Sequence, residues 1–514
     1  MSWPTLHLLA RSCVGDQFIA DSRIKRAYQG RPLGQAQRAL SPPNAASRRR
    51  TSYDYLRLPD PRIIKLVELA DRDLLALTAA QTAIEIASGA FSSEEVTRAC
   101  LERIEAAEDT VKAFAHLDRE FALTQARESD QWRRSGRPIG PLHGVPVAVK
   151  DIIETADWPT ECGSPLLAGR RPRNDATVVS KLRAAGAVIV GKTVTTEFAY
   201  FSPGKTRNPH DPRRTPGGSS SGSAAAVAAG MVPLTLGSQT NGSIIRPGSF
   251  CGVFAMKPSH GLVSRAGVLP LSRTLDHIGP FARSLEDIAL ALDVISGFDA
   301  DDPDTRPLAA RNFQKTATEE FGLDPRLAFV KTPMWDKADA DTHEAFEDLA
   351  KGLGEVCFSY DLPAHYASAW TSHRAIMAIE MAHNLGKLTD QGGDKVSKQF
   401  RDLIEEGREV SAADYLAAIA EGRALRTAIE ELFQQQCTAI ITPAARGVAP
   451  KGEATGDPVF CTFWTLLGLP AITLPLLTGE DDMPLGVQLV GAPGDDARLL
   501  RTAQWVVTKL VGAK

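Results

Sequence analysis

The sequence predicts an α/β fold built on a mixed or mostly parallel sheet. Short, fully apolar segments alternate with helical segments along most of the chain, and turn residues separate them. Strands that are apolar at every position are buried on both faces, as in sheets covered by helices. Hydrophobic residues make up 43% and charged residues 23% of the 514 residues, which is enough for a sizeable core.

The first elements in chain order are two capped helices. Thr78 stands three residues before Gln81, and Ser92 stands three residues before Glu95, which is the spacing of a capping box. Gly89 separates the two helices and is typical of a helix end. Ordered structure is therefore predicted to begin near residue 74.

Apolar runs then predict a series of buried strands, the first two on either side of a helix at 178–185. These runs are residues 145–149, 187–190, 327–330, 439–441, 471–474 and 487–490. Residues 337–436 differ because they are rich in Ala, Glu, Leu and Lys and have few strand signals. This segment predicts a helical insertion.

The chain divides at about residue 70. Residues 1–50 contain nine Lys and Arg against two Asp, and they end in three consecutive arginines. We predict a disordered basic extension over residues 1–70 and one domain over residues 71–514. An Arg-rich, acid-poor segment is also typical of an organelle transit peptide, and a mis-set start codon remains an alternative.

Composition narrows the function classes. The formal net charge of −4 does not suggest a nucleic-acid coat, and no apolar run approaches the roughly 18–20 residues of a membrane span. The seven cysteines include no CxxC pair, and the ten histidines show no HxxxH or HExxH spacing. We expect a cytoplasmic protein with unpaired thiols, no metal, no cofactor, no nucleic-acid partner and no membrane attachment.

Two known sequence motifs match this chain, but the predicted secondary structure around each match does not suit the motif. Residues 186–193 (GAVIVGKT) fit the phosphate-loop pattern, but AVIV between the glycines favours a strand where a loop is required. Residues 218–222 (GSSSG) fit the GxSxG elbow of α/β-hydrolases, but no strand leads into them. We therefore expect neither nucleotide binding nor a nucleophile at Ser220.

Two loops dense in Gly and hydroxyl residues carry the chemistry. Residues 216–230 (PGGSSSGSAAAVAAG) begin as a loop and continue as an Ala-rich helix, and residues 237–247 (GSQTNGSIIRP) form a second loop. Such loops can direct backbone N–H groups into a concavity, as an oxyanion hole requires. Upstream, Lys150 ends an apolar strand, where desolvation favours its neutral form.

Together these residues resemble the amidase signature family over most of the chain, from about residue 74 to residue 509. The matching blocks are residues 141–151 (PLHGVPVAVKD), 191–193 (GKT), 197–199 (EFA), 207–209 (RNP), the two loops, 251–253 (CGV), 257–259 (KPS), 275–280 (LDHIGP), 468–475 (GLPAITLP) and 484–491 (PLGVQLVG). The resemblance implies a large mixed, mostly parallel sheet covered by helices on both faces, with the helical insertion lining the substrate pocket.

The resemblance also implies a catalytic triad of two serines and a lysine. Ser243 corresponds to the nucleophile, Ser219 to the bridging serine after a cis Gly218–Ser219 peptide bond, and Lys150 to the base. Lys150 would draw a proton from Ser243 through the Ser219 hydroxyl, and Ser243 would attack an amide carbonyl.

The backbone N–H groups of Thr240, Asn241, Gly242 and Ser243 would form the oxyanion hole.

This chain departs from the family pattern near the nucleophile. Gln239 and Asn241 stand where many members have Asp and Gly. Gln239 can orient the loop without a charge, and Asn241 tolerates a positive φ better than most residues. The family's arginine is displaced by one position, to Arg246, which either supports the loop or binds substrate.

The sequence therefore predicts a hydrolase that converts a small carboxamide to a carboxylate plus ammonia or an amine, through an acyl-enzyme on Ser243. One alternative is the glutaminase-type subunit of a tRNA amidotransferase, which residues 360–390 disfavour because they lack the Tyr/Ser/Ala-rich block of that subunit. Another is an inactive binding protein, which the intact Lys150, Ser219 and Ser243 disfavour. The expected partner is a small-molecule amide, and a homodimer is left open.

Overall fold

An eleven-stranded sheet lies at the centre of the part of the chain that the structure describes. The structure is a computed structural model, and it describes residues 74–307, 309 and 311–511. The extension predicted over residues 1–70 lies outside these residues. Within them, no helix is both long and apolar enough to span a bilayer.

The described strands, in chain order, are β1 (Phe114–Leu117), β2 (Pro146–Lys150), β3 (Val188–Thr193), β4 (Leu234–Gln239), β5 (Phe254–Lys257), β6 (His277–Ala282), β7 (Leu327–Lys331), β8 (Cys357–Asp361), β9 (Ala439–Pro443), β10 (Ala471–Thr478) and β11 (Pro484–Val490). Across the sheet they follow the order β1-β3-β2-β4-β6-β5-β10-β11-β9-β7-β8.

The described α-helices are α1 (Ala79–Ser88), α2 (Ser93–Val111), α3 (Arg119–Arg134), α4 (Thr177–Ala184), α5 (Ser221–Ala228), α6 (Ile245–Cys251), α7 (Leu285–Ile295), α8 (Phe313–Thr318), α9 (Ala340–Leu353), α10 (Ser368–Gly392), α11 (Lys398–Glu409), α12 (Ala412–Gln435), α13 (Val459–Leu466) and α14 (Asp496–Val511). Both predicted capping boxes, at Thr78 and Ser92, are present.

Helices cover both faces of the sheet, and strand β2 shows why consecutive residues of a strand are then apolar. Val147 and Val149 pack into one hydrophobic core, whereas Ala148 between them packs into a second core that also contains the alanines of α5. Because successive side chains of a strand point to opposite faces, each face of β2 needs its own apolar residues. The predicted mixed sheet covered by helices is confirmed.

The expectation that most strands would be parallel is wrong. Within the described sheet, six neighbouring strand pairs are antiparallel and four are parallel. An antiparallel strand that is buried on both faces is as continuously apolar as a parallel one. The hydrophobic pattern therefore indicates burial and leaves strand direction open.

The segment 337–436 contains α9, α10, α11 and α12 together with strand β8. Strand β8 pairs in parallel with β7 at the edge of the sheet, and α9 packs against β8 and β9. Helix α10 packs against α11, α12 and α13. The sheet thus extends into this segment through β8, which lies between α9 and the three helices α10, α11 and α12.

Candidate active site

Lys150 is the last residue of β2, a central strand of the sheet. Strand β4 runs parallel to β2 as its neighbour, with Val149 opposite Leu236, so the ends of the two strands lie at the same edge. The Lys150 side chain is fully buried there. Burial lowers the pKa of Lys150 well below its usual range, and the Asp276 carboxylate acts in the opposite direction.

Two serine hydroxyls surround the Lys150 amine. Its Nζ lies 2.7 Å from Ser219 Oγ and 2.8 Å from Ser238 Oγ. Ser219 follows a cis Gly218–Ser219 peptide bond, in the loop that leads into α5. A neutral amine that donates one N–H to Ser238 keeps its lone pair for the Ser219 hydroxyl proton.

Sequence reasoning missed Ser238 because it did not predict β4 as a strand. Leu234–Gln239 contains Gly, Ser and Gln among its apolar residues, which weakens the strand signal. Had β4 been predicted beside β2, the alignment of the two strand ends would have placed Ser238 near Lys150.

The loop between β4 and α6 holds Ser243, and Gln239 supports this loop from its beginning. Gln239 Oε1 accepts hydrogen bonds from the backbone N–H groups of Ile244 and Ile245, at 2.8 and 3.0 Å. The first N–H groups of a helix lack intrahelical acceptors, and the N-cap residue of α6 is Ile244, which offers no side-chain acceptor. Gln239 therefore caps α6 from a distance and needs no charge to do so.

Replacing Gln239 with leucine should therefore destabilise the protein. The change leaves two buried N–H groups without an acceptor, so we expect the free energy of unfolding to fall by about 2 kcal/mol or more. Urea denaturation measures this difference. Gln239→Glu is the matched comparison because its carboxylate can still accept both hydrogen bonds, and equal stability of the leucine variant and the wild type would contradict the capping role.

Three neighbouring elements hold the loop of residues 240–243. Thr240 Oγ1 donates to Asp276 Oδ1 at 2.6 Å, and the Thr240 carbonyl accepts from His373 of α10 at 3.0 Å. From α13, Thr462 donates to the Asn241 side chain at 2.8 Å, and Thr465 donates to the Asn241 carbonyl at 2.6 Å. The φ angle of Asn241 is not positive, so tolerance of a positive φ does not explain why Asn stands at this position. The hydrogen bond from Thr462 to the Asn241 side chain is the structural role of this residue.

Asp276 lies in one of the blocks that resembled the amidase signature family, yet sequence reasoning gave it no role. It is partly buried and accepts hydrogen bonds from Thr240 and from the backbone N–H groups of Leu271 and Ser272. Burial raises the pKa of Asp276 to about 6, and these hydrogen bonds oppose the rise. At neutral pH its carboxylate favours the protonated form of Lys150.

The variant Asp276→Asn should therefore shift the pH dependence of the reaction. Without the carboxylate the pKa of Lys150 falls further, so the acid limb of the rate profile should move to lower pH by about one unit. The other group that acts on Lys150 is the Cys162 thiol, whose own pKa is raised to about 12, so it stays neutral throughout. The profile of kcat/KM against pH measures the shift, and an unmoved acid limb would contradict the coupling.

Arg246 lies one turn after Ser243, on α6, and is 2% exposed. Its Nε donates to the Thr455 carbonyl at 2.8 Å, and its Nη2 donates to the Gly218 carbonyl at 2.7 Å, next to Ser219. Its Nη1 has no hydrogen-bond partner in the described part of the chain. Arg246 thus supports the loop that carries Ser219 and retains one free donor.

A pocket lies beside this loop, and its empty space of about 340 Å³ includes a part that is open to solvent. Ser243 is 8% exposed and lines it together with Arg246. The other lining residues are Ala199, Tyr200, Phe201, Thr240, Asn241, Gly242, Leu271, Met377, Met381 and Pro458. Position 242 has no room for a side chain, because a Cβ atom there would lie 2.8 Å from Arg246 Nη1 and 2.9 Å from Pro458 Cβ.

The residues of the phosphate-loop match and of the GxSxG match have structural roles. Lys192 of the phosphate-loop match lies within β3, where its buried ammonium donates to Thr160 Oγ1 at 2.6 Å and pairs with Asp151. Ser220 of the GxSxG match is fully buried, and its hydroxyl bonds to the backbone N–H and carbonyl of Ser238.

Comparison with known proteins agrees with the class that this fold and site suggest. The family model described as Amidase matches residues 95–500, so this chain belongs to the amidase family.

One relative, from Chloroflexus aurantiacus, carries the name of a glutamyl-tRNA(Gln) amidotransferase subunit. It is 39% identical over 472 residues, which cover 83% of this chain and 95% of the relative.

Solved structures match over similar lengths. A chain from a vestigial protein complex described as revealing the evolutionary origins of an s-triazine catabolic enzyme has a TM-score of 0.78 and 31% identity, covering 84% of this chain and 98% of that one. The native peptide amidase from Stenotrophomonas maltophilia has a TM-score of 0.74 and 29% identity, covering 85% and 97%.

Proposed function

We propose that this chain hydrolyses carboxamides through an acyl-enzyme on Ser243. The observation that carries the proposal is the fully buried Lys150 amine, 2.7 Å from Ser219 Oγ, at the same strand edge as the loop of Ser243. Its lowered pKa favours a neutral amine that can accept a proton, which is what a general base near neutral pH requires.

In the acylation step, Lys150 takes the Ser219 proton while Ser219 takes the Ser243 proton, and Ser243 Oγ attacks the amide carbon. The relay then returns a proton to the leaving nitrogen as the carbon–nitrogen bond breaks, which releases ammonia or an amine. Water repeats the sequence on the acyl-enzyme and releases the carboxylic acid. One amide and one water are consumed in each cycle.

The negative oxygen of each tetrahedral intermediate needs hydrogen-bond donors. We assign this role to the backbone N–H groups of residues 240–243, none of which has an acceptor within the described chain. These unpaired donors lie on the lining of the same pocket as Ser243. The assignment is the oxyanion hole that the family resemblance implies.

The pocket lining indicates the substrate class. Met377, Met381 and Leu271 offer a flexible apolar wall, which suits an aliphatic or aryl acyl group. Arg246 also lines the pocket, and its buried Nη1 has no hydrogen-bond partner among the described residues. No carboxylate is among the described lining residues, so none of them would form an ion pair with the ammonium of an amino acid.

The relatives support a second candidate function, the glutaminase subunit of a tRNA amidotransferase. The names of these relatives favour this subunit over a free small-molecule amidase. The sequence of residues 360–390 had favoured the small-molecule amidase, because it lacks the Tyr/Ser/Ala-rich block of that subunit. Under this candidate the chain would hydrolyse glutamine and deliver ammonia within a complex of partner subunits. A cytoplasmic location suits both candidates and stays a prediction.

Ammonia release from three amides separates the candidates. Hexanamide has an apolar acyl group, glutaramate adds a carboxylate, and L-glutamine adds an α-ammonium to glutaramate. A higher kcat/KM for hexanamide or glutaramate than for L-glutamine would support the small-molecule amidase. Preference for L-glutamine, together with copurifying subunits when the chain is isolated from its own cells, would support the amidotransferase assignment, and no hydrolysis of any amide tested would count against both.

A further inference from the structure

The carbonyl groups of Thr240 and Asn241 are both held by side chains outside the loop. His373 Nε2 lies 3.0 Å from the Thr240 oxygen, and Thr465 Oγ1 lies 2.6 Å from the Asn241 oxygen. A carbonyl oxygen only accepts hydrogen bonds, so Nε2 of His373 must carry the hydrogen.

These two bonds determine where the following N–H groups point. In a trans peptide the N–H points opposite to the C=O, and among the described residues only the Gly218–Ser219 bond is cis. The Asn241 N–H therefore points away from His373, and the Gly242 N–H points away from Thr465. Both N–H groups lack an acceptor in the described chain, and both residues line the pocket with Ser243.

His373 also belongs to the helix that forms the wall of the acyl pocket. It is 1% exposed and lies on α10 four residues before Met377 and eight before Met381, so the three side chains share one helix face. The two methionines line the pocket, while His373 reaches the loop of Ser243. One helix therefore contacts both the acyl group's site and the oxyanion loop.

We propose that His373 is a positioning residue that orients the Asn241 N–H toward the substrate oxyanion, and that α10 supports the oxyanion hole and the acyl pocket together. His373 acts through a neutral side chain, because burial lowers its pKa to about 4. The inference rests on the proposed amide hydrolysis and adds a residue 130 positions from the nucleophile in sequence.

The test compares a variant that keeps the donor with one that removes it. His373→Gln can still donate an N–H to the Thr240 carbonyl, whereas His373→Leu cannot. We expect His373→Leu to lower kcat about tenfold or more with little change in KM, because a misdirected oxyanion donor weakens the transition state more than the bound substrate. His373→Gln should recover most of this loss.

Two further readouts separate positioning from general packing. A trifluoromethyl ketone, which forms a tetrahedral oxyanion on the serine, should bind His373→Leu more weakly by a similar factor. The acid limb of the pH profile should not move, because His373 does not supply the base. His383→Leu is the matched control, since it makes the same change at an exposed position of α10 and should leave kcat and the melting temperature unchanged.

Several outcomes would overturn the inference. They are full kcat in His373→Leu, equal loss of kcat in the Gln and Leu variants, or a change confined to KM. If His373→Leu does not fold, His373→Met fills the space without a donor and is judged by the same criteria. Failure of the proposed function itself is distinguishable, because it would appear as hydrolysis that persists in Ser243→Ala whatever residue occupies position 373.

Discussion

Ser243→Ala should abolish amide hydrolysis, with kcat lowered by about 10⁴-fold or more while the fold is unchanged. Removing the nucleophile of a covalent mechanism removes the acyl-enzyme route entirely, and what remains is binding and oxyanion stabilisation. The loss of one hydroxyl at the pocket surface leaves the surrounding packing intact. Ammonia release measures the activity, and thermal unfolding checks the fold.

The control is Ser180→Ala, an exposed serine on α4, which should retain full activity. A fluorophosphonate probe should label Ser243 in the wild type and fail to label Ser243→Ala, with the site read by mass spectrometry. Labelling at Ser220 would contradict the assignment and favour the GxSxG interpretation. The buried position and two backbone hydrogen bonds of Ser220 argue against that outcome.

Lys150 variants should show the next largest effect, a loss of about 10³-fold in kcat/KM for Lys150→Ala. Lys150→Arg should not restore activity, because a guanidinium stays charged and cannot accept the serine proton. Ser219→Ala should be less severe than Ser243→Ala, because a water can partly replace the bridging hydroxyl. Circular dichroism would confirm that each variant is folded before its rate is compared.

The pH dependence follows from the direction of the Lys150 pKa shift. Burial lowers the pKa, so the amine is neutral above that lowered value and protonated below it. The rate should therefore rise as pH increases through the Lys150 pKa, reach a plateau in the neutral to alkaline range, and be lost as pH falls. An active Lys150→Arg enzyme, or a rate without an acid limb, would refute the lysine base and leave a histidine as the candidate.

Much of the local structure could be predicted from the sequence because its causes are local. The capping boxes at Thr78 and Ser92 depend on residues three positions apart, and the apolar runs of β2, β9, β10 and β11 report burial directly. The family resemblance was also sufficient to nominate Lys150, Ser219 and Ser243. Strands β1, β4, β5, β6 and β8 were not predicted, since they are short or interrupted by polar and glycine residues.

The amino-acid sequence by itself determined the α/β class, the family and the residues proposed for the chemistry. Only the tertiary structure decided strand direction and the surroundings of the reacting groups. Ser238, Asp276 and His373 reach Lys150 or Thr240 across 88, 36 and 133 positions of the chain. Such contacts depend on the order of the strands in the sheet and on the packing of α10. Both are determined by the burial of whole surfaces against one another, so the periodicity of residues along the chain does not encode them.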